Sequence, residues 1–458
     1  MLLAFLAGLM ALAGSYEDGV SALKAKDAEL ARTHFQAAVQ QSPRSTAAWW
    51  QLGWAHYLLQ DWDGTLAAWA KVRELDADYP TLTYWTRVAQ ARKDLLDPLP
   101  PLPEVPMEAA GRRITITAGG DTLMGSDLKY GAGNLPPDDG VGLFEHTGEI
   151  FRRADVAFLN LEGPLADGLP DRKCGPKSTA CYAFRTPTSF TRALTSIGLD
   201  AASIANNHAM DLGTPGMQSS MDALDAAGIA HTGPYGDVGY VEKDGLTIAF
   251  VGAHSGTCCL NVNDLDDVQR AIRKADQRAD LVVLSFHGGA EGYGARHLPF
   301  KTEIAWGERR GNVKELAHAA IDAGADLVVG HGPHVLRAAE VYRGRMIIYS
   351  LGNFMGYHQF GTEGGYGGHS VILEAELAEN GVLTKARFHP LALDRSGVPH
   401  LDPKGTGLEH IRELTAADFP GSGLVIADDG VVSWNVATKE ESQTSAVPGA
   451  GTEDGGQQ

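Results

Sequence analysis

Apolar and polar residues alternate along this chain in three rhythms, and each predicts a different kind of structure. Met1 to Gly14 form one apolar run that stops at Ser15-Tyr16-Glu17-Asp18. Small Ala11 and Ala13 flank Leu12 as at an export-signal cleavage site, and the run is shorter than the ~20 apolar residues of a membrane span. Residues 1–14 are therefore expected to be a signal peptide or an anchor. From 15 to 96 the spacing is helical and repeats, because Tyr16, Gly19 and Phe35 recur 34 positions on as Trp50, Gly53 and Trp69. This period predicts stacked helix pairs, with Gly19 and Gly53 allowing close approach. A last helix beginning at Pro80 and running through Trp85 and Val88 would cap the stack. Pro98, Pro100, Pro101, Pro103 and Pro106 then forbid helix or central strand, so 97–112 reads as a stiff linker.

Beyond Arg113 the pattern changes to short β-branched runs ending in Gly, Asp or Asn and separated by helical stretches, as in an α/β sandwich. The runs before His287 and His331 are apolar enough to be central strands buried on both faces. This domain is expected over 113–392, followed by a C-terminal extension, 393–437. The tail 438–458 is Gly, Ser, Thr, Glu and Gln with little to bury, so it is expected to be disordered.

Charge narrows the partners. Lys+Arg number 38 against Asp+Glu 57, a net −19, which excludes non-specific binding of nucleic acid or anionic lipid. A polyanion would be held only at a local cationic site, such as a metal. Four cysteines, Cys174, Cys181, Cys258 and Cys259, are too few for a disulfide scaffold and lack the paired spacing of a structural zinc site. Cys174 and Cys181 can bridge in an oxidising compartment.

Candidate chemistry sits at five strand ends. Asp121 follows a β-branched run and two glycines, Glu162 precedes Gly163-Pro164, and Asn206-Asn207-His208 ends the third run. His287 ends the fourth, and His331 and His334 flank Gly332-Pro333 at the fifth. A lone histidine in such a place is more often a satisfied core residue than a ligand. A parallel or mixed sheet, however, gathers its strand ends along one edge, so these carboxylates, carboxamides and imidazoles are expected to converge. Mixed nitrogen and oxygen ligands suit Zn, Mn or Fe, and the set is long enough for two divalent ions ~3.5–4 Å apart. Arg185 offers a planar fork for an anionic group. Asp211 and Gly213 are expected to cap the helix after His208, and Ser350, Asn353 and Phe354 to form a turn beneath the site.

Two resemblances add to this. Ala31-x3-Phe35-x2-Ala38 before Pro43, and Trp49-x2-Leu52-Gly53, resemble successive helices of tetratricopeptide repeats, which present a groove to a protein partner. The five strand ends, with Tyr349-Ser350-Leu351-Gly352-Asn353-Phe354, resemble the CapA family of poly-γ-glutamate capsule biosynthesis from about Arg113 to Leu391. The motifs GD, NLE, NNHxxDxG, HxGxE, GHxPH and YSLGNF stand in that family's order. CapA domains are similar in turn to calcineurin-like metallophosphoesterases, which are β-sandwiches flanked by helices around a dinuclear centre. By that resemblance Asp121, Glu162, Asn207, His287, His331 and His334 would be metal ligands and His208 the general acid. Asn206, Arg185 and Glu291 complete the candidate set as substrate contacts. Three positions depart from the pattern: Leu123 stands where phosphoesterases carry an imidazole, Gly332 interrupts the usual His-His-Pro-His, and Gly292 separates Glu291 from Tyr293.

The expectation is an exported, capsule-associated protein with a metal-dependent hydrolase site. Its substrate would be an anionic polymer or a small phospho or γ-glutamyl compound, cut at a phosphoester or a γ-glutamyl amide. The alternative, favoured by Leu123, is a non-catalytic polymer-binding scaffold of the envelope that recruits a synthase through the helical repeats.

Overall fold

The computed structural model describes residues 15–96, 98–99, 101–128, 134–175, 181–359 and 365–435. The expected export segment and the expected disordered tail lie outside the described residues. The chain opens with helix α1 over 15–24, then α2 (Ala28–Gln41), α3 (Thr46–Leu58), α4 (Trp62–Leu75) and α5 (Leu82–Leu96). Asp27, Ser45 and Asp61 cap α2, α3 and α4 by accepting from the backbone N–H three residues on, which satisfies a donor the helix itself cannot. The repeat has a packing cause. A Cβ on Gly19 would lie 2.7 Å from the Phe35 ring and one on Gly53 2.1 Å from the Trp69 ring, so each glycine seats the buried aromatic of the next helix. Pro80 lies in the turn before α5 rather than in its first turn.

Residues 101–112 form neither helix nor strand; Pro106 and Glu108 carbonyls accept from Arg345 and Asn380. The strands that follow are β1 (Arg113–Leu123), β2 (Val156–Leu161), β3 (Ala201–Ser203), β4 (Ala230–Thr232), β5 (Val238–Lys243), β6 (Leu246–His254) and β7 (Leu260–Asn261). Next come β8 (Leu281–His287), β9 (Ile304–Ala305), β10 (Glu308–Arg309), β11 (Leu327–His331), β12 (Ala339–Tyr342), β13 (Arg345–Ile348) and β14 (Asn353–Gly356). The last are β15 (His369–Ala378), β16 (Leu383–Leu393), β17 (Pro399–Leu401), β18 (Val425–Ile426) and β19 (Val431–Ser433). Between them run α6 (Gly148–Arg153), α7 (Thr191–Ser196), α8 (Gly213–Ala226), α9 (Leu265–Asp276), α10 (Val313–Asp322) and α11 (Thr406–Asp418).

Two mixed sheets result. The larger has the order β18-β19-β16-β15-β1-β2-β3-β4, and the smaller β12-β13-β11-β8-β6-β5. Ile114, Ile116 and Phe158 from the first share one buried cluster with Phe250, Val283 and Val329 from the second, and the Phe158 and Phe250 rings stack at 5.1 Å. Burying each such ring contributes about 1.5–3 kcal/mol. The outer faces bury their own clusters, one with α7 and α8, the other with α9 and α10. The protein is thus a helix-flanked α/β sandwich preceded by an all-helical segment. Residues 393–437, expected as an extension, supply α11, β17, β18 and β19, which extend the larger sheet past β16. Strands of two or three residues are too short for alternation to register in sequence.

Within this frame β1, β2 and β3 run parallel, as do β6, β8 and β11, and the carboxyl ends of β1, β8 and β11 meet at the candidate centre.

Candidate metal centre

Asp121 is the hub. It lies at an irregularity in the pairing of β1 with β2 and β14, where its N–H donates to the Gly352 carbonyl at 3.0 Å. A Cβ on Gly120 would stand 2.0 Å from that same carbonyl oxygen, so only glycine lets β1 approach the turn there. Asp121 Oδ1 accepts from Asn160 Nδ2 at 2.8 Å and lies 3.6 Å from His331 Nδ1 and 3.9 Å from His287 Nδ1. Its Oδ2 accepts from the Gly332 N–H at 3.2 Å and lies 3.2 Å from His334 Nδ1. Each carboxylate oxygen therefore faces its own imidazole set.

Glu162, just past the end of β2, places Oε1 3.5 Å from His334 Nε2 and 3.9 Å from His208 Nε2. Its two oxygens, Asn207 Oδ1, His287 Nε2 and both nitrogens of His331 are buried without a hydrogen-bond partner. Polar groups in that state cost roughly 1–3 kcal/mol each unless something else binds them. Asp121, Glu162 and His334 bring ligand atoms within 4.8 Å of one another, a grouping able to hold a cation.

Burial drives much of the electrostatics. It pushes the Glu162 carboxyl up to about 8, the His331 imidazole down to about 4 and His287 well below its ordinary value. Neutral imidazoles are the form that ligates metal. For Asp121 burial acts upward, but the His334 hydrogen bond and the three surrounding imidazoles outweigh it and hold the carboxyl below the usual range. His334 is the converse: burial opposes its charge, yet Glu162 and Asp121 raise it to about 10.

The turn 331–334 is built for these contacts. Gly332 has φ +106, and a Cβ there would lie 2.9 Å from the His287 ring, so the position that interrupts His-His-Pro-His has no room for a side chain. His334 Nδ1 also meets Asn353 Oδ1 at 2.8 Å, while Asn353 Nδ2 donates to the His334 and Gly367 carbonyls. With acceptors around Nδ1, the ring's Nε2 is the atom turned toward Glu162. Asn353 and Phe354 open β14 rather than forming the expected turn, and Asn353 is a direct partner of a candidate ligand.

His208 presents Nε2 to the same space and is fixed from behind. Its Nδ1 meets Asp211 Oδ2 at 2.8 Å, and that carboxylate also accepts from the Phe184 N–H. Lys173 Nζ reaches Asp211 Oδ1 at 2.9 Å and the Asn207 carbonyl at 3.0 Å. The expected capping role of Asp211 is corrected: Leu212 is the N-cap of α8 and makes no side-chain cap bond. Lys173 adjoins Cys174, which is disulfide-bonded to Cys181.

Three expected substrate contacts are already committed within the chain. Asn206 is buried, donating to the Leu161 carbonyl at 2.7 Å and accepting from the His208 N–H. Arg185 is paired with Asp127 at 2.6 Å and donates to the Leu169 carbonyl, which leaves its fork engaged rather than open. Glu291 binds the buried Arg310 at 2.9 Å and Trp306 Nε1 at 2.8 Å, so it acts on the site through its charge on Glu162 and His334. Leu123, in place of an imidazole, is buried at the end of β1. Sequence reasoning missed Asn160, Lys173 and the roles of Asp211 and Asn353. Asn160 did leave a signal, a polar residue inside a strand buried on both faces.

Residues 115–358, more than half of the chain, match the family model of the bacterial capsule synthesis protein PGA_cap. The chain belongs to that family. Every candidate ligand of this PGA_cap chain lies inside the matched span, and α1 to α5 lie outside it. The PGA biosynthesis protein CapA of Bacillus subtilis is 29% identical over 321 residues, covering 65% of this chain and 76% of that protein. The capsule biosynthesis protein CapA of Bacillus anthracis is 28% identical over 263 residues, 53% of this chain and 60% of that one. A probable polyglutamine synthesis accessory protein of Mycobacterium tuberculosis is 29% identical over 244 residues, 47% and 58% of the two chains. Among solved structures, a 5'-nucleotidase precursor from Thermus thermophilus aligns with TM-score 0.33 and 13% identity over 69% of this chain and 61% of that one. A purple acid phosphatase from yellow lupin seeds aligns with TM-score 0.29 and 8% identity, over 66% and 54%. Both structural likenesses are slight, and family membership rests on the sequence match.

Proposed function

We propose that this PGA_cap protein is a metal-dependent hydrolase that assists the making or export of an anionic capsule polymer such as polyglutamate, cutting a phosphoester or a γ-glutamyl amide. The observation that carries the reading is that Glu162, grouped with Asp121 and His334, and His331, 3.6 Å from Asp121, carry buried ligand atoms without hydrogen-bond partners, as do Asn207 Oδ1 and His287 Nε2. A cation is what such a set lacks. Asp121, Glu162 and His334 would hold a cation, and His287, His331 and Asn207 would complete the set for a second. Bound there, divalent Mn, Zn or Fe would supply a Lewis acid and a nucleophile at neutral pH.

The chain's own residues do the rest. Asp211 keeps one proton of His208 on Nδ1 and stabilises the imidazolium, whose second proton, on Nε2, is the one given to the departing oxygen or nitrogen. Lys173 offsets the Asp211 charge. Names of the relatives, capsule biosynthesis and polyglutamine synthesis, support the polymer context. That context also favours export; among the described residues no helix is long and apolar enough to cross a membrane.

The test is metal analysis of the full chain followed by turnover of a phosphodiester and of a γ-glutamyl peptide. His208→Ala should lower turnover by about 10²–10⁴-fold with metal retained, whereas His331→Ala should lose metal as well. Stoichiometric metal without turnover of either substrate would replace this reading by the polymer-binding scaffold.

A further inference from the structure

The loop after β6 carries chemistry that the metal centre does not use. β6 ends at His254, the register neighbour of His287 on β8, and the buried Cys258 and Cys259 follow in the same loop. Cys258 Sγ lies 3.4 Å from His254 Nε2 and 2.7 Å from Cys259 Sγ. The Gly256 N–H donates to His254 Nδ1 at 3.0 Å. Gly256 is needed for that approach, since a Cβ there would stand 2.4 Å from the imidazole.

A ring nitrogen that accepts a hydrogen bond carries no proton, so the neutral imidazole holds its proton on Nε2, facing Cys258. Two consequences follow. Nε2 cannot ligate a metal without giving that proton up, which argues against a soft-cation site even though the three ligand atoms lie within 4.8 Å of one another. Cys258 sulfur also gains a donor, Nε2–H, which favours its thiolate.

We propose that Cys258 and Cys259 react as a pair with disulfides, Cys258 as the attacking thiolate and Cys259 as the resolving thiol. Cys258 is 8% exposed against 1% for Cys259, so it is the sulfur a small disulfide RSSR reaches; it attacks one sulfur of RSSR, forming a mixed disulfide and releasing RS⁻. Cys259 passes its proton to RS⁻ and attacks the Cys258 sulfur, expelling the second RS⁻. Two protein thiols are oxidised to one disulfide, and RSSR is reduced to two thiol equivalents. Adjacent Cα atoms across a trans peptide are about 3.8 Å apart, short of the roughly 4.4–6.8 Å a disulfide prefers, so the ring reopens readily with thiols. The pair shares an apolar cluster with Tyr84 of α5 and with Ala205 and Ala209, which flank Asn206–His208.

The experiment exposes the full folded chain, reduced and freed of reductant, to oxidised glutathione and maps the peptides by mass. The expected product is a peptide with Cys258 joined to Cys259. Cys259→Ser should accumulate one glutathione on Cys258, and Cys258→Ser should react at least about tenfold more slowly. His254→Gln, which keeps both thiols, should slow the first step even if the serine variants fold poorly. Equal labelling of Cys259 in Cys258→Ser, no reaction of the folded chain, or one added zinc per chain that protects both thiols would each overturn the proposal.

Discussion

At the scale of single residues, the arrangement that most needs explaining is a histidine whose second nitrogen is bound by a buried carboxylate. Asp211 has no exposure and is held by Phe184 N–H and Lys173 as well as by His208, so its orientation is over-determined. Asp211→Asn would remove the charge that stabilises a protonated His208 while leaving Asn207 and Glu162 in place. We expect turnover to fall roughly 10²-fold or more, metal content to stay at the level of the unaltered chain, and Asp211→Glu to recover part of the loss. Loss of metal together with activity would instead make Asp211 a support of the ligand shell. The ligand-type residues were legible in sequence because they follow apolar runs and glycines. Asn353 and Asp211 were not, because a hydrogen bond to a ligand or to the general acid leaves the same local pattern as a turn or a helix cap. Arg185 misled for a related reason: a fork geometry is visible in the residue type, but its partner Asp127 is not marked by spacing.

At the scale of elements, the two central strands that carry His287 and His331 are tied at their far ends by one buried acid. Asp326, just before β11, accepts from the Val282 N–H of β8 at 3.0 Å and faces Arg345 Nε at 3.4 Å. Burial is the dominant influence and raises its carboxyl to about 6. A folded-state value above the unfolded ~3.9 means the folded protein binds this proton more tightly. The contribution is therefore complete below about pH 4 and is lost as pH rises through 6. Urea unfolding of the chain and of Asp326→Asn between pH 4 and 7 should show the unaltered chain losing about 2–3 kcal/mol relative to the variant across that window. A difference that does not change with pH would mean that Arg345 keeps Asp326 ionised throughout. The helices were legible as elements because glycine and aromatic recur at a fixed distance, and the long apolar strands because nothing polar interrupts them. The strands after 393 pair only two or three residues each, so only the assembled sheet reveals them.

At the scale of the whole molecule, the helical repeats are joined to the sandwich by polar contacts as well as by chain connectivity. Tyr84 N–H donates to Gln218 on α8, and Arg87 reaches Asp225 at 2.9 Å, Asp237 at 3.4 Å and His231 at 3.1 Å. Arg92 lies over the Tyr235 ring at 3.9 Å. In a chain of net charge −19 an arginine facing two carboxylates offsets local repulsion, and reversing it turns both pairs against each other. Arg87 is one third exposed, so each pair is partly screened and the reversal should cost on the order of 1–2 kcal/mol of docking. Docking opened by that amount raises the open population about tenfold, and cleavage that samples the open form follows that population. Arg87→Glu should accordingly be cut in the proline-rich stretch 101–112 about tenfold faster by a limiting protease, with metal content unchanged because every candidate ligand lies beyond that stretch. Unchanged cleavage would place the docking in Tyr84, Trp85 and Val88, whose burial against the sandwich the charge reversal leaves intact.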